Sequence, residues 1–144
     1  MDIKTVCVVG LGYIGLPTAA VLASRGLSVI GVDVNQKAVD TINAGKIHIV
    51  EPDLDIVVRS VVSTGNLRAT LVPEPADVFV VAVPTPFHHS DDDSHKPDLS
   101  YIQAAAKTIA PVLEKGNLVI LESTSPVGTT EKLASWLAEA RNDL

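Results

Sequence analysis

The sequence predicts an open, doubly wound parallel α/β sheet with helices on both faces and strand order 3-2-1-4-5. Three observations predict it. Short runs rich in Val, Ile and Leu alternate with helix-length stretches along the chain. Of the 144 residues 47% are hydrophobic but only 3% are aromatic, so Val, Ile, Leu and Ala must fill the interior, as strands buried on both faces require. A Gly-rich turn, Gly10-Leu11-Gly12-Tyr13-Ile14-Gly15, stands where the first strand gives way to the first helix.

The elements follow in order. Residues 3–9, with the β-branched run Val6-Cys7-Val8-Val9, form the first strand. Residues 13–25 form a helix stopped by Gly26, in the position that favours a left-handed cap. Residues 27–33 are the second strand. Asn35 caps a second helix that runs to about Ala44, before Gly45. Residues 46–52 are irregular, and 53–64 form a third helix ended by Gly65-Asn66. A short third strand covers 67–70 and a nearly all-apolar fourth covers 77–83. Residues 84–97 are a polar loop. Ser100 and Gln103 fit a capping box that opens a fourth helix, in which Pro111 removes a backbone donor and bends the axis. Residues 118–121 are the fifth strand and 128–140 the fifth helix. Right-handed crossovers then order the strands 3-2-1-4-5. A sixth strand, usual in sheets of this kind, has no residues left to form it. The expectation is therefore one domain over residues 1–144, the first part of something longer.

Composition excludes several classes of partner. The net charge is −6, so the chain lacks the basic face of a nucleic-acid binder. No apolar run reaches the roughly 18 residues of a membrane span, and Met1-Asp2-Ile3-Lys4 does not open a signal peptide. The single cysteine, Cys7, allows no intrachain disulfide, and a reducing, cytoplasmic compartment is the expectation. Cys7 lies mid-strand, where a buried, inert thiol is expected.

The chemistry starts at the Gly-rich turn. Asp33 follows Gly15 by 18 residues, at the end of the second apolar run. G-x-G-x-x-G between strand and helix, with a carboxylate about 20 residues on, is the dinucleotide-binding fingerprint of the Rossmann fold. Gly10 permits the tight turn, Gly12 lets the backbone approach a pyrophosphate, and Gly15 lets the helix pack close to the sheet. Tyr13 and Ile14 offer backbone N–H groups, and the helix dipole favours the anion. Asp33 accepts the adenosine ribose hydroxyls and repels a 2′-phosphate, which predicts NAD as the cofactor in preference to NADP.

Three further segments accompany the turn: Val83-Pro84-Thr85-Pro86, residues 122–129 (Glu-Ser-Thr-Ser-Pro-Val-Gly-Thr), and residues 47–54 (Ile-His-Ile-Val-Glu-Pro-Asp-Leu). With residues 10–20 and 39–43, they make the chain resemble the UDP-glucose/GDP-mannose dehydrogenase family in its N-terminal NAD-binding domain, over essentially all 144 residues. The stretches are most similar to the branch acting on UDP-N-acetyl-D-mannosamine. The resemblance implies two successive hydride transfers to NAD that turn the C6 alcohol of a UDP-sugar into a carboxylate, in an enzyme expected to be a homo-oligomer. It also implies a cysteine nucleophile, a lysine and an asparagine that belong to downstream motifs absent here. The fragment alone is therefore expected to be inactive.

Thr85 and Thr124 fall just past the fourth and fifth strands, at the edge where open parallel sheets bind ligands. The resemblance makes Thr85 a cofactor contact and Thr124 a contact to the cofactor or to a water near the reacting carbon. Either residue serves alternatively as a turn cap. Thr130 is either a further cofactor contact or a helix N-cap, and Glu122 either a site carboxylate or a structural one. His88, His89 and His95 accompany Asp91 to Asp93, but their spacing matches no closed ligand set, so residues 88–96 are read as a solvated, metal-free loop. That stretch is longer than in the family, and no family contact is carried onto it. The alternatives are a dehydrogenase of another UDP-sugar, UDP-GlcNAc or UDP-glucose, and a free-standing NAD-binding sensor.

Overall fold

Five parallel strands pair in the order β3-β2-β1-β4-β5. They are β1 (Thr5–Val9), β2 (Ser28–Val32), β3 (Leu67–Thr70), β4 (Val78–Val81) and β5 (Leu118–Leu121). The helices are α1 (Gly15–Ser24), α2 (Gln36–Asn43), α3 (Leu54–Ser63), α4 (Ser100–Ile109) and α5 (Thr129–Ala140). The structure is a computed structural model that describes residues 2–85, 98–122 and 127–144.

Period-two alternation divides the core between the two faces of the sheet. Val6, Val8, Val29, Val78 and Val80 pack with Leu16, Ala19, Ala20 and Ala23 of α1, and with Val39, Ile42, Val58 and Val61 of α2 and α3. Cys7, Val9, Ile30, Val32, Phe79 and Val81 face the other way, against Ile102, Ala105, Ala106 and Ile109 of α4 and Leu133 of α5. Cys7 stands opposite both Ile30 and Phe79 in the central register. Small Ala side chains on α1 let that helix lie close over the strands. β5 is different: Val119 and Leu121 pack inward, while Leu118 and Ile120 remain 45% and 42% exposed at the edge of the sheet.

Sequence and structure differ in a few local places, each with a physical reason. β1 starts at Thr5 and β4 at Val78 because Asp77 ties the two starts together. Its Oδ2 accepts from Lys4 N–H at 2.8 Å, Thr5 N–H at 3.0 Å and Thr5 Oγ1 at 3.2 Å. These bonds, that from Lys4 foremost, hold the Asp77 carboxyl below its ordinary range. The expected capping box does not form. Ser100 is itself the first helical residue, its N–H donating to Asp98 Oδ1 at 2.9 Å, and the carboxylate of Asp98 replaces the hydroxyl as acceptor. Asp53 lies outside α3, in the left-handed region at φ 64°. Pro111 does not bend a continuous helix but ends α4 at Ile109, the chain tightening into a 3₁₀ turn over Ala110–Val112. Asn35 caps α2 as expected, its Oδ1 accepting from Lys37 and Ala38 N–H groups.

Candidate cofactor site

The Gly-rich turn sits at the C-terminal ends of β1, β2 and β4. Gly10 leaves β1 with φ 98°, and its N–H donates to Val32 O at 2.7 Å. A Cβ there would lie 2.7 Å from Ala82 O, so only glycine fits between the strand ends. At Gly15 the constraint is purely spatial. A Cβ would stand 1.7 Å from Gly10 O and 3.2 Å from Ala82 Cβ, so the helix start is pressed onto the turn itself. Gly12 is the opposite case, exposed, with nothing within 4 Å of where its Cβ would be. The turn thus closes inward at Gly10 and Gly15 and stays open outward at Gly12.

Leu11, fully buried, anchors the turn. Its side chain fills the space over Gly31 of β2, where a Cβ would lie 2.8 Å from Leu11 Cδ2. Sequence reasoning missed this pairing, although a lone glycine inside the strand run Ser28–Val32 was the signal that something approaches closely. Asp33 completes the support. Its Oδ2 accepts from Leu11 N–H at 3.0 Å and its Oδ1 from Asn35 N–H at 2.9 Å. An ionised carboxylate accepts about four hydrogen bonds, so two places remain for ribose hydroxyls. Among the described residues no oxygen accepts the N–H groups of Gly12, Tyr13, Ile14 or Gly15, and Ile14, the N-cap position of α1, has no side-chain cap. Unmatched donors at the positive end of a helix form an anion site. The side chains of Tyr13 and Ile14 are exposed.

The other candidate residues divide by position. Thr85 is half-buried and lies four residues past the end of β4. Thr124 falls outside the described residues, as do His88, His89, His95 and the loop 88–96 that contains them. Thr130 is the second residue of α5 and exposed. The N-cap is Gly128 at φ 91°, so the alternative of Thr130 as a cap does not hold. Glu122 is half-buried at the end of β5. Its N–H donates to Val81 O at 2.8 Å and its Oε1 accepts from Thr18 Oγ1 of α1 at 2.5 Å, which is the structural reading of that residue. Cys7 is wholly buried, and burial pushes its thiol up to about 11, leaving no thiolate for chemistry at neutral pH. Among the described residues no group of three His, Cys, Asp or Glu side chains is placed to hold a metal, and no helix is long and apolar enough to cross a membrane.

Sheet order, open glycine turn and strand-end carboxylate define a dinucleotide-binding domain. The chain belongs to the UDP-glucose/GDP-mannose dehydrogenase family as its NAD binding domain, the family's sequence profile matching residues 4–144. The chain is 68% identical over 139 residues to a UDP-N-acetyl-D-mannosamine dehydrogenase of Campylobacter jejuni, covering 96% of this chain and 33% of the relative. To an NDP-N-acetyl-D-galactosaminuronic acid dehydrogenase of Ralstonia nicotianae it is 67% identical over 144 residues, covering 100% of this chain and 33% of the relative. The solved UDP-N-acetyl-mannosamine dehydrogenase of Staphylococcus aureus superposes with a TM-score of 0.89 at 41% identity, over 98% of this chain and 34% of that one. The chain spans about a third of the length of the relatives it matches.

Proposed function

We propose that this chain is the cofactor-binding third of a nucleotide-sugar 6-dehydrogenase that oxidises UDP-N-acetyl-D-mannosamine to UDP-N-acetyl-D-mannosaminuronate with two NAD. The observation that carries the reading is the open turn at Gly12, with unmatched N–H groups from Gly12 to Gly15 beside the Asp33 carboxylate. The donors suit a pyrophosphate and the carboxylate an adenosine ribose.

In this proposal Gly10, Gly12, Tyr13, Ile14 and Gly15 hold the pyrophosphate, Asp33 the ribose, and Thr85, Thr124 and Thr130 the nicotinamide half. NAD, when bound, supplies the hydride acceptor. Oxidation of an alcohol to an acid needs two such acceptors and a group that holds the aldehyde-level carbon between them. Cys7, buried in the central strand, does not offer that group, and in this proposal it lies, with the sugar site, in the rest of the complete enzyme. The complete enzyme is proposed to be a cytoplasmic homo-oligomer. Near-equal identity to a galactosaminuronic acid dehydrogenase favours, as second reading, another nucleotide-linked N-acetylhexosamine.

Absorbance of NADH tests the proposal. The full-length protein is expected to form two NADH per UDP-N-acetyl-D-mannosamine, and the chain of residues 1–144 none. Faster turnover of UDP-N-acetyl-D-glucosamine or UDP-glucose would overturn the sugar. NAD binding with no turnover of any nucleotide sugar by the full-length protein would favour the sensor.

A further inference from the structure

The Thr18–Glu122 pair joins the two halves of the proposed site across 104 residues of sequence. Thr18 is on the first turn of α1, directly behind the unmatched N–H groups, with its own N–H donating to Ile14 O at 3.3 Å. Glu122 extends the β4–β5 ladder by one bond, through its N–H to Val81 O, so its backbone is fixed relative to the sheet. Strand alternation puts its side chain on the same face as Leu118 and Ile120, the face that carries α1. The bond is charge-assisted, 2.5 Å long, and both partners are half-buried. Among the described residues no cation pairs with this carboxylate. Its placement on the flank of α1, near the positive end of that helix, offsets its charge. Gln and Asn would serve as acceptors for a plain strut, whereas a carboxylate gives a shorter and stronger bond.

We infer that Glu122 is a positioning residue that acts through Thr18, setting α1 and its phosphate-binding turn at a fixed distance from the end of β5. The inference rests on the proposed function, because it concerns how one cofactor is held across β1, β4 and β5 at once. Adenosine needs only the β1–β2 side, where Asp33 and Leu11 are joined independently. The pair is therefore expected to matter for the whole dinucleotide and not for its adenosine half.

Calorimetric titration of the chain with NAD and, separately, with adenosine tests this on Thr18→Val, Glu122→Ala and Thr18→Ser, with far-UV circular dichroism checking the fold. Thr18→Val and Glu122→Ala are expected to weaken NAD about tenfold, the size of one charge-assisted bond, while adenosine, which has no phosphate, changes less than about twofold. Thr18→Ser, which keeps the hydroxyl, is expected to retain wild-type NAD affinity. NAD and adenosine weakening in parallel, or NAD unchanged in both disruptive variants, would overturn the inference and leave the proposed function standing. Wild-type chain that is folded yet binds neither ligand would overturn both. Loss of fold in Thr18→Val and Glu122→Ala together would overturn the positioning role in favour of a purely structural one.

Discussion

Alanine at Gly15 and alanine at Gly12 should part ways sharply, although both lie in the same turn. At Gly15 the new Cβ would start 1.7 Å from Gly10 O and 2.8 Å from Gly10 C, so relief needs a backbone shift of more than about 1 Å. The carbonyl that must move belongs to Gly10, which is itself wedged against Ala82 and bonded to Val32. Overpacking of this kind costs about 1–3 kcal/mol, sometimes more, and alanine's helix preference returns about 1 kcal/mol at most. The net expectation for Gly15→Ala is a loss of about 1–2 kcal/mol of stability. The same shift displaces the Tyr13 and Ile14 N–H groups, and a misplacement of about 1 Å costs roughly a hundredfold where positioning is tight. Gly12 has nothing within 4 Å, so Gly12→Ala should leave stability within about 0.5 kcal/mol. It should still weaken NAD by tenfold or more, because the methyl stands where the pyrophosphate must approach. Urea unfolding followed by Trp136 fluorescence, beside NAD calorimetry, reads both quantities. Wild-type stability of Gly15→Ala would refute the contact geometry, and wild-type NAD affinity of Gly12→Ala would refute the path of the pyrophosphate.

Other outcomes follow from the same structure. Asp53 holds a left-handed φ of 64°, so Asp53→Gly should stabilise the chain by about 0.5–1 kcal/mol and Asp53→Val should destabilise it, as thermal melts would register. Cys7, buried in the middle of β1, should resist a thiol reagent such as DTNB at pH 8 in the folded chain and react promptly in urea. Because folding raises the Cys7 pKa to about 11, its contribution to stability is full below its unfolded value near 9 and is lost as pH rises toward 11. Between those limits wild type should lose stability relative to Cys7→Ala by about 1.4 kcal/mol per pH unit, and parallel pH profiles would count against that burial. Asp77→Ala should loosen the starts of β1 and β4 together, detectable as faster amide exchange at Lys4 and Thr5, while NAD affinity is unchanged at the opposite edge of the sheet.

The strand order was legible because it follows from chain order, right-handed crossovers and a Gly-rich turn, none of which needs side-chain detail. Leu67–Thr70 and Leu118–Leu121 matched to the residue, because each follows directly on a Gly-Asn pair, Gly65-Asn66 and Gly116-Asn117, that closes the segment before it. Helix starts were less legible, since capping is a competition among neighbouring acceptors: Asn35 wins alone, whereas Asp98 outcompetes Ser100. The phosphate turn was visible as a motif, but its mechanics were not. That Leu11 plugs over Gly31, and that Asp33 braces Leu11 before any ribose arrives, are contacts between distant segments without a local pattern. The Thr18–Glu122 bond, across 104 residues, belongs to the same class.

Titration of the folded chain with NAD and with NADP, in wild type and in Asp33→Ala, tests the account most directly. Asp33 already holds two N–H groups and has places only for hydroxyls, so a 2′-phosphate meets an uncompensated like charge worth at least about 1–3 kcal/mol. The account predicts one NAD site, NADP weaker by roughly tenfold to a hundredfold, and loss of that discrimination together with weaker NAD in Asp33→Ala. Equal affinity of wild type for NAD and NADP, or a folded chain that binds no NAD, would contradict it.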